Sequence, residues 1–459
     1  MRNSTPTSAR NHSTVLGAVA ACLLSSGLVA ALAAYSRGAP RPASETPAAE
    51  ATLHAAGLAA SPEEGWPQWR GKFRDSISDE KGLLQEWPEG GPKLIWKVTD
   101  IGHGWSSPII TGGTIYITGD VGDDLVIFAF DLDGKPKWQA RNGAAWKASY
   151  PGARACCAYS GGRLFNMNAH GRVACLEAAT GKELWAVDTL ARFDGRNITW
   201  ALSECLLVDG TRVIVTPGGR KAMMAALDTK TGETVWASDP IPTEKGGADR
   251  AGYASPILFE YAGRRRLVNN AARHGFAVDA DTGKLLWTVE RITRFDAPVA
   301  TPVYADGAVF FVAPDGPNGS LYRLQSQGGE ERAEEAWKTP LDTLTGGVVL
   351  VGGCIYGSGY RKYKGWDCLD WKTGETKYHA GNLDSGAAVW AAGRLYILTE
   401  TGTAALVKPT ATGLETCGRF DFAPAAARKR DAWPHPVISG GRLYLRYHDA
   451  LACYDVRGK

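Results

Sequence analysis

The chain contains 459 residues, with 51 lysines and arginines against 48 aspartates and glutamates, which gives a formal net charge of +3. So small an excess excludes the broad basic surface that drives nonspecific binding to nucleic acid, and we expect no nucleic-acid partner. A chain of this length usually forms two or three domains, unless repeated small sheets close into one ring. Internal repeats therefore decide the domain organisation.

Residues 1–36 have the composition of an export signal. An uncharged run rich in alanine, leucine and valine extends from Ser13 to Ser36 and follows a basic N-terminus. The run is long enough to span a bilayer as a helix, while Ala31–Ala33 resembles a cleavage site and Val19–Cys22 resembles a lipoprotein box. We expect a cleaved signal peptide or a transmembrane anchor, with lipidation as a third alternative, and a chain exported to the periplasmic or envelope side.

The segment after this signal is rich in alanine, proline and glutamate, a composition that favours disorder. The sequence therefore predicts a signal peptide or anchor over residues 1–36, a disordered linker over 37–64 and a single domain over 65–459.

From Trp96 onward a short pattern recurs: an alanine or cysteine, a hydrophobic residue, an acid, a glycine-containing turn and a tryptophan. The copies are Ala129–Trp138, Cys175–Trp185, Ala226–Trp236 and Ala277–Trp287, followed by degraded copies that end at Trp337, Tyr378 and Cys417. Their spacing of about 40 to 50 residues is that of one four-stranded propeller blade. Hydrophobic alternation bounded by glycine and aspartate predicts strands throughout, with one irregular helical turn expected at Glu330–Glu335.

The two ends of the chain predict how the ring closes. The last copy, Cys453–Lys459, stops before its tryptophan, whereas Lys93–Trp96 has the composition of a final strand without an upstream half. Joining the two completes an eighth blade and removes the exposed sheet edges. The predicted fold is an all-β, eight-bladed propeller closed by an N-terminal strand, and we expect it to be monomeric.

The repeated tryptophan has a structural role. A wide, flat indole fills the wedge between blades and donates to the next backbone, while the glycine supplies the turn geometry. The residues assigned to this docking role are Trp96, Trp138, Trp185, Trp236, Trp287 and Trp337.

These copies resemble the tryptophan-docking repeats of the pyrroloquinoline-quinone-type, or quinoprotein-like, propellers. The opening Trp66–Gly71 further resembles the start of exported propellers common in planctomycete-like bacteria. The resemblance covers residues 66–459 and implies the fold. It leaves the activity open, because the repeat occurs in quinone-dependent alcohol dehydrogenases and in the non-enzymatic outer-membrane-assembly propeller lipoprotein.

A dehydrogenase of this family would need pyrroloquinoline quinone, a calcium ion and a carboxylate base. The adjacent Cys156 and Cys157 resemble the vicinal disulfide of those enzymes, but they align with Ser107 and Pro108, inside the first strand of a blade. No Glu-Asn-Asp calcium set and no histidine pair at metal-ligand spacing is evident. We therefore assign no catalytic residue and no metal site, and we expect no cofactor.

The first strand of each blade lines the central channel, so equivalent residues form a ring. Alignment on the glycine turns gives the ring Ser107, Cys156, Glu204, Ser255, Thr301, Gly347, Ala387 and His435. With the nearby His103, Trp105 and Trp200, this ring predicts a funnel polar and aromatic enough for a ligand. The alternative is a channel lined by small residues with water between them.

Two functions follow from these features. The first is a non-catalytic binding or scaffold module for an envelope protein or glycan, attached to the membrane through its N-terminal segment. The second is a quinone-dependent alcohol or sugar dehydrogenase.

Overall fold

The computed structural model describes residues 53–244, 246–361, 363–423 and 430–458. The predicted signal peptide or anchor over residues 1–36 lies outside the described residues. Within the described ranges, no helix combines the length and the hydropathy needed to cross a bilayer.

The described residues form strands and one short helix, α1, Thr189–Arg192. The strands are β1 Ile77–Ser78, β2 Lys93–Val98, β3 Ile109–Thr111, β4 Thr114–Val121, β5 Asp124–Asp131, β6 Pro136–Ala144, β7 Ala158–Ser160, β8 Arg163–Met167, β9 Arg172–Glu177, β10 Glu183–Asp188, β11 Leu207–Asp209, β12 Arg212–Val215, β13 Ala225–Asp228, β14 Thr234–Ala237, β15 Ile257–Tyr261, β16 Arg264–Asn270, β17 His274–Asp279, β18 Leu285–Glu290, β19 Val303–Ala305, β20 Ala308–Ala313, β21 Asn318–Gln327, β22 Glu330–Thr339, β23 Val348–Val351, β24 Cys354–Ser358, β25 Trp366–Asp370, β26 Thr376–Ala380, β27 Gly386–Ala391, β28 Arg394–Thr399, β29 Thr403–Pro409, β30 Leu414–Asp421, β31 Val437–Ser439, β32 Arg442–Tyr447 and β33 Ala450–Asp455.

These strands build eight antiparallel blades, which confirms the predicted propeller. Seven blades take four strands consecutive in the chain, from β3–β6 through β27–β30. The eighth contains β31, β32 and β33, and its outer strand is β2 from the other end of the chain. In this closing pair Lys93 lies opposite Asp455 and Trp96 lies opposite Cys453, so the ring closes as predicted.

Tryptophans lock neighbouring blades together. Five predicted docking indoles donate from Nε1 to a carbonyl of the next blade: Trp96 to Leu132 (2.9 Å), Trp138 to Ala178 (3.1 Å), Trp185 to Thr229 (3.1 Å), Trp236 to Ala280 (3.2 Å) and Trp337 to Trp371 (3.3 Å). A glycine of the next blade lies flat against each indole. At Gly181, where φ is +76°, a methyl group would lie 2.5 Å from Cε3 of Trp138. Glycine is therefore needed there both for its backbone conformation and for the space it leaves.

Trp287 uses a different partner, because the next blade lacks the turn of the repeat. Its Nε1 donates to the carboxylate of Glu331 at 3.0 Å. Arg266 forms an ion pair with the same carboxylate, and both side chains are 3% exposed. Glu331 lies in β22, the outer strand of a long hairpin with β21. The helical turn expected at Glu330–Glu335 is therefore wrong: the Gly328–Gly329 turn pairs this acidic stretch with β21 instead.

Residues 54–84, which we call the plug segment, cross one end of the central channel. Trp66 and Ile110 of blade 1 exchange backbone hydrogen bonds of 2.7 and 2.9 Å. Strand β1 pairs in parallel with β27 of blade 7, and Glu80 accepts from the backbone of Gly440 and Gly441 in blade 8. The segment contacts the inner-strand hairpins, so it covers the face of the ring where those hairpins lie.

This arrangement corrects the last part of the predicted linker, residues 53–64, which is bound to the propeller. Residues 37–52 of that linker lie outside the described residues. Ala59 donates its backbone N–H to Leu258 at 2.9 Å, and Glu63 accepts from the backbone of Gly161 at 2.7 Å. His54 lies between Asp75 and Asp79, at 2.6 and 2.8 Å. Composition alone indicated disorder, but these contacts with β15, with the β7–β8 turn and within the plug segment fix it.

Candidate functional site

A cavity of about 320 Å³ occupies the channel above the plug segment. Its walls come from the connections that lead from the outer strand of one blade to the inner strand of the next, and from the β20–β21 and β24–β25 connections. Such a volume lies at the lower end of the range for small-molecule sites, ~300 to 1,000 Å³. We call this cavity the funnel. Its lining includes Trp69, Arg70, Trp105, Tyr150, Arg154, Trp200, Ser203, Cys205, Tyr253, Ser255, Phe295, Thr301, Asp315, Thr345, Gly347, Tyr360, Arg361, Trp433 and His435.

The plug segment supplies the floor of the funnel through Trp69 and Arg70. Trp69 donates from Nε1 to Oγ1 of Thr301 at 3.0 Å, and its ring centroid lies 4.4 Å from that of His435. Arg70 donates from Nε to Oγ of Ser76 at 2.8 Å and from Nη2 to the backbone carbonyl of Val348. The funnel is therefore closed at its base by residues that do not belong to the repeats.

A second arginine of the plug segment lies outside the funnel and is hydrogen bonded at every nitrogen. Arg74 donates to the carbonyls of Cys205 (2.7 Å), Leu206 (3.1 Å) and Pro256 (2.7 Å), and to Oε1 of Gln68 (3.2 Å). Burial lowers the pKa of both Arg70 and Arg74 to about 10. Both therefore stay charged at neutral pH.

The walls of the funnel are aromatic. The ring centroids of Trp105 and Trp433 lie 5.0 Å apart, and the guanidinium of Arg154 lies 5.3 Å from the Trp105 ring. On another part of the wall, Trp200 contacts Tyr253 at 6.0 Å. Rings arranged this way offer large apolar faces, whereas the arginine adds positive charge between them.

His435 is a neutral group at the floor. Its Nε2 donates to the carbonyl of Thr345 at 2.9 Å, and burial lowers the pKa of His435 to about 3. Its Nδ1 has no hydrogen-bond partner among the described residues. The ring therefore carries no charge at neutral pH and keeps one unpaired acceptor.

The structure brings together six of the predicted channel residues. Those that line the funnel are Trp105, Trp200, Ser255, Thr301, Gly347 and His435. Those that lie outside its lining are Ser107, Cys156, Glu204, Ala387 and His103.

Hydrogen bonds connect much of the predicted ring around the axis. The backbone N–H of Ser107 donates to Sγ of Cys156 at 3.2 Å, and that of Cys156 donates to Sγ of Cys205 at 3.2 Å. The backbone N–H of Cys205 then donates to Oγ of Ser255 at 2.9 Å, and the backbone N–H of His435 donates to Oγ of Ser107 at 2.8 Å. Small polar side chains at these positions therefore join blades 8, 1, 2, 3 and 4, which is a structural role.

Glu204 is one residue away from the ring, and the ring member in blade 3 is Cys205. The pairing of Asp209 with Arg212 makes Gly210, at φ +57°, the first residue of the hairpin turn. Gly161 holds that position in blade 2 at φ +56°. Counting five residues back from Gly210 and Gly161 gives Cys205 and Cys156. The predicted ring contained Glu204 because Gly210, the one glycine of its turn, was aligned with the second turn residue of blade 2 instead of the first.

Glu204 instead points into the blade. Its Oε2 accepts from the backbone of Thr216 and its Oε1 accepts from the Thr216 hydroxyl, each at 2.8 Å. Burial raises the pKa of Glu204 to about 7, against the opposing effect of these hydrogen bonds. His103 lies behind the wall, with ring centroids 5.2 Å from Trp105 and 4.5 Å from His448, and burial lowers the pKa of His103.

The residues present do not fit pyrroloquinoline quinone with a calcium ion. Cys156 and Cys157 are free thiols outside the lining, and burial raises the pKa of both. Asp315 supplies the one carboxylate among the described lining residues, and Arg361 lies 3.7 Å from it. In the described part of the chain, no three histidine, cysteine or acidic side chains converge as a metal site would require. A calcium site needs several hard oxygen donors, which this funnel does not offer.

Six of the wall residues that the sequence did not predict follow a simple rule. Each lies two residues before a ring position, on the same face of the extended chain. The lining residues at this offset are Trp105, which was predicted, and Arg154, Ser203, Tyr253, Val299, Thr345 and Trp433. Trp69 and Arg70 had no such signal, because they lie in the non-repeating plug segment.

Comparison with known proteins agrees with this architecture. A family model described as outer membrane protein assembly factor BamB matches residues 140–377 and 249–413. A lanthanide-dependent methanol dehydrogenase from Methylacidiphilum fumariolicum strain SolV is 32% identical over 141 residues, which are 28% of this chain and 22% of that protein. The chain thus spans less than a quarter of the length of this curated relative.

Two solved structures are similar in fold. BamB from Moraxella catarrhalis has a TM-score of 0.56 at 15% identity and covers 79% of this chain and 99% of its own. Quinohemoprotein alcohol dehydrogenase from Comamonas testosteroni has a TM-score of 0.57 at 13% identity, with 86% and 81% covered. One of these neighbours is a dehydrogenase and the other an assembly factor, so the likeness describes the scaffold.

Proposed function

Since the chain belongs to the family of quinoprotein-like repeat propellers whose model is described as outer membrane protein assembly factor BamB, we propose that it is an exported, non-catalytic binding protein. Its ligand is a glycan, held in the funnel. The family supports a location outside the cytoplasm, while attachment to the membrane through residues 1–36 is part of the proposal.

The observation that carries this proposal is the aromatic funnel with a closed floor. Trp105, Trp200, Tyr253, Tyr360 and Trp433 all line it. The C–H faces of a sugar ring are flat and apolar, so they stack on such rings and bury apolar area there. A cavity of about 320 Å³ accommodates a short saccharide end rather than a folded protein surface.

The charged groups of the funnel favour binding over catalysis. Glycoside hydrolysis generally uses two carboxyl groups about 5 to 10 Å apart. Asp315 is the one carboxylate among the described lining residues. The thiol of Cys205 and the hydroxyl of Ser255 line the funnel too, but Cys205 donates its backbone N–H to that hydroxyl, so both belong to the ring of structural hydrogen bonds.

A glycan array tests the proposal directly. The full chain should bind a subset of the array, and Trp200→Ala should weaken binding about 2- to 12-fold, because one aromatic contact contributes about 0.5 to 1.5 kcal/mol. Trp390→Ala is the matched control, since Trp390 is half-buried in β27 and does not line the funnel.

Two results would count against glycan binding. One is an array on which the wild-type chain binds nothing. The other is equal weakening by the two tryptophan variants. Binding of a peptide or an envelope protein, insensitive to Trp200→Ala, would favour the scaffold role instead.

A quinone-dependent dehydrogenase is the second candidate, because a curated relative is a methanol dehydrogenase. The donor chemistry of the funnel opposes it. Titration of the full chain with pyrroloquinoline quinone and calcium, followed by absorbance, should give no saturable uptake at micromolar cofactor. Stoichiometric uptake together with dye-linked alcohol oxidation would replace the binding proposal.

A further inference from the structure

We propose that the funnel selects acidic sugars and that Arg70 at its floor binds the acid group. The inference rests on the proposed glycan binding and adds the class of ligand. Its source is a buried guanidinium that forms no ion pair with a carboxylate of the described residues and keeps one nitrogen free.

Arg70 is 3% exposed, and its hydrogen bonds leave one nitrogen free. Nε and Nη2 donate to Ser76, to the carbonyl of Asp75 at 3.2 Å and to the carbonyl of Val348. Nη1 has no hydrogen-bond partner among the described residues. The carboxylate of Asp75 partly offsets the effect of burial on the pKa of Arg70, but it forms no ion pair with Arg70. Its Oδ2 contacts His54 at 2.6 Å and its Oδ1 accepts from the backbone of Ile77 at 3.1 Å.

The free Nη1 lies beside an open part of the floor. A methyl group built on Gly347 would lie 3.8 Å from Arg70 Nη1 and 3.9 Å from Cε1 of His435. All three residues line the funnel. Since Gly347 has no side chain, the space in front of the guanidinium stays available to a ligand.

The neighbouring charges reinforce this preference. Three arginines and one aspartate line the funnel, an excess of two positive charges with His435 neutral. Asp315 lies 3.7 Å from Arg361, whereas the hydrogen bonds of Arg154 go to backbone carbonyls such as that of Trp200 at 2.9 Å. The carboxylate of the lining thus faces Arg361, and neither Arg70 nor Arg154 forms an ion pair with it.

An acid group is the ligand group that best matches the buried guanidinium of Arg70. A buried charge without a counter-charge is unfavourable, and an anion that reaches it in a water-poor site forms a strong, charge-assisted hydrogen bond. The acid oxygen would accept from Nη1 while the sugar ring packs on the aromatic walls. A neutral sugar offers a hydroxyl at the same place and brings no negative charge to the guanidinium.

The test uses disaccharide pairs that differ only at C6, titrated calorimetrically into the full chain. Each of glucuronate, galacturonate and mannuronate is paired with its neutral hexose, and a 6-sulfated galactoside distinguishes sulfate from carboxylate as the source of the charge. At least one acidic member should bind about tenfold tighter than its neutral counterpart. A funnel that binds neutral sugars with equal affinity would overturn the inference and leave glycan binding intact, whereas no binding of any sugar would refute both.

Variants of two equally buried arginines test which of them binds the acid group. Arg70→Lys keeps the charge but loses the planar fork, so it should reduce the acid preference about tenfold and change affinity for neutral sugars less than twofold. Arg74→Lys is the control, because Arg74 lies in the same plug segment, is bonded at every nitrogen and does not line the funnel. Circular dichroism checks that both variants fold. An acid preference retained in Arg70→Lys, or lost equally in Arg74→Lys, would refute the assignment.

Discussion

The contact between Gly181 and Trp138 gives a quantitative test of how the blades are locked. Gly181→Ala would place a methyl group 2.5 Å from Cε3 of Trp138, 2.8 Å from Cδ2 and 2.9 Å from Cζ3. Gly162→Ala is the matched control, because Gly162 has nearly the same φ, +78° against +76°, and its methyl group would meet nothing within 4 Å. The difference between the two variants therefore isolates the indole contact from the backbone cost.

The expected difference in unfolding free energy is the sum of an overpacking cost and a weakened hydrogen bond. Both variants carry the cost of a left-handed alanine, about 1 to 2 kcal/mol. Gly181→Ala adds overpacking of about 1 to 3 kcal/mol against a wedged ring. Displacement of the ring also weakens the bond from Trp138 to Ala178, worth about 1 kcal/mol. Gly181→Ala should therefore be about 2 to 4 kcal/mol less stable than Gly162→Ala.

Equilibrium urea unfolding, followed by circular dichroism, measures this difference through the midpoint at constant slope. In the background of Trp138→Ala the methyl group of Gly181→Ala no longer meets an indole, so its extra cost should largely disappear. Equal midpoints for Gly181→Ala and Gly162→Ala, or full additivity with Trp138→Ala, would refute the docking account.

Three further variants test buried charges. Burial raises the pKa of Glu204 from 4.5 to about 7, so the folded chain binds the extra proton and stability should fall by on the order of 3 kcal/mol as pH rises through this window. Glu204→Gln should remove this contribution, so the loss of stability between pH 5 and pH 8, measured by urea unfolding, should be smaller by about that amount; an unchanged loss would contradict this. Arg74→Met should cost about 3 to 5 kcal/mol, because it leaves the carbonyls of Cys205, Leu206 and Pro256 without donors, and a thermal midpoint equal to wild type would exclude this role. Glu331→Gln should destabilise the chain by about 2 to 4 kcal/mol, because it leaves Arg266 buried without its counter-charge. The exposed Glu334→Gln is its control, and equal urea midpoints for the two would argue against a role for that ion pair.

Repetition made the scaffold predictable from sequence. The spacing of tryptophans and glycines identified the blades, and the unmatched strand at Lys93–Trp96 identified the closure. The first is a local pattern that recurs, so errors in one copy are corrected by the others, and the second stands out by comparison with those copies. Where a copy is degraded, as at Glu330–Glu335, the prediction of a helical turn failed because no second copy corrected it.

The site was less predictable, because its floor does not repeat. Trp69 and Arg70 come from a segment that meets each blade through a different contact, so no periodic signal marks them. The strand register was the second source of error. Because the turn of blade 3 contains one glycine, Gly210, the alignment was wrong by one residue and gave Glu204 in place of Cys205. In a strand such a shift moves a side chain to the opposite face.

A crystal structure of the full chain with its tightest-binding disaccharide tests the central claim most directly. The account predicts the saccharide inside the funnel, with its ring against the aromatic wall and an acid oxygen about 3 Å from Nη1 of Arg70. A saccharide bound outside the funnel, or bound inside it with the acid group directed away from Arg70 and toward solvent, would contradict the account.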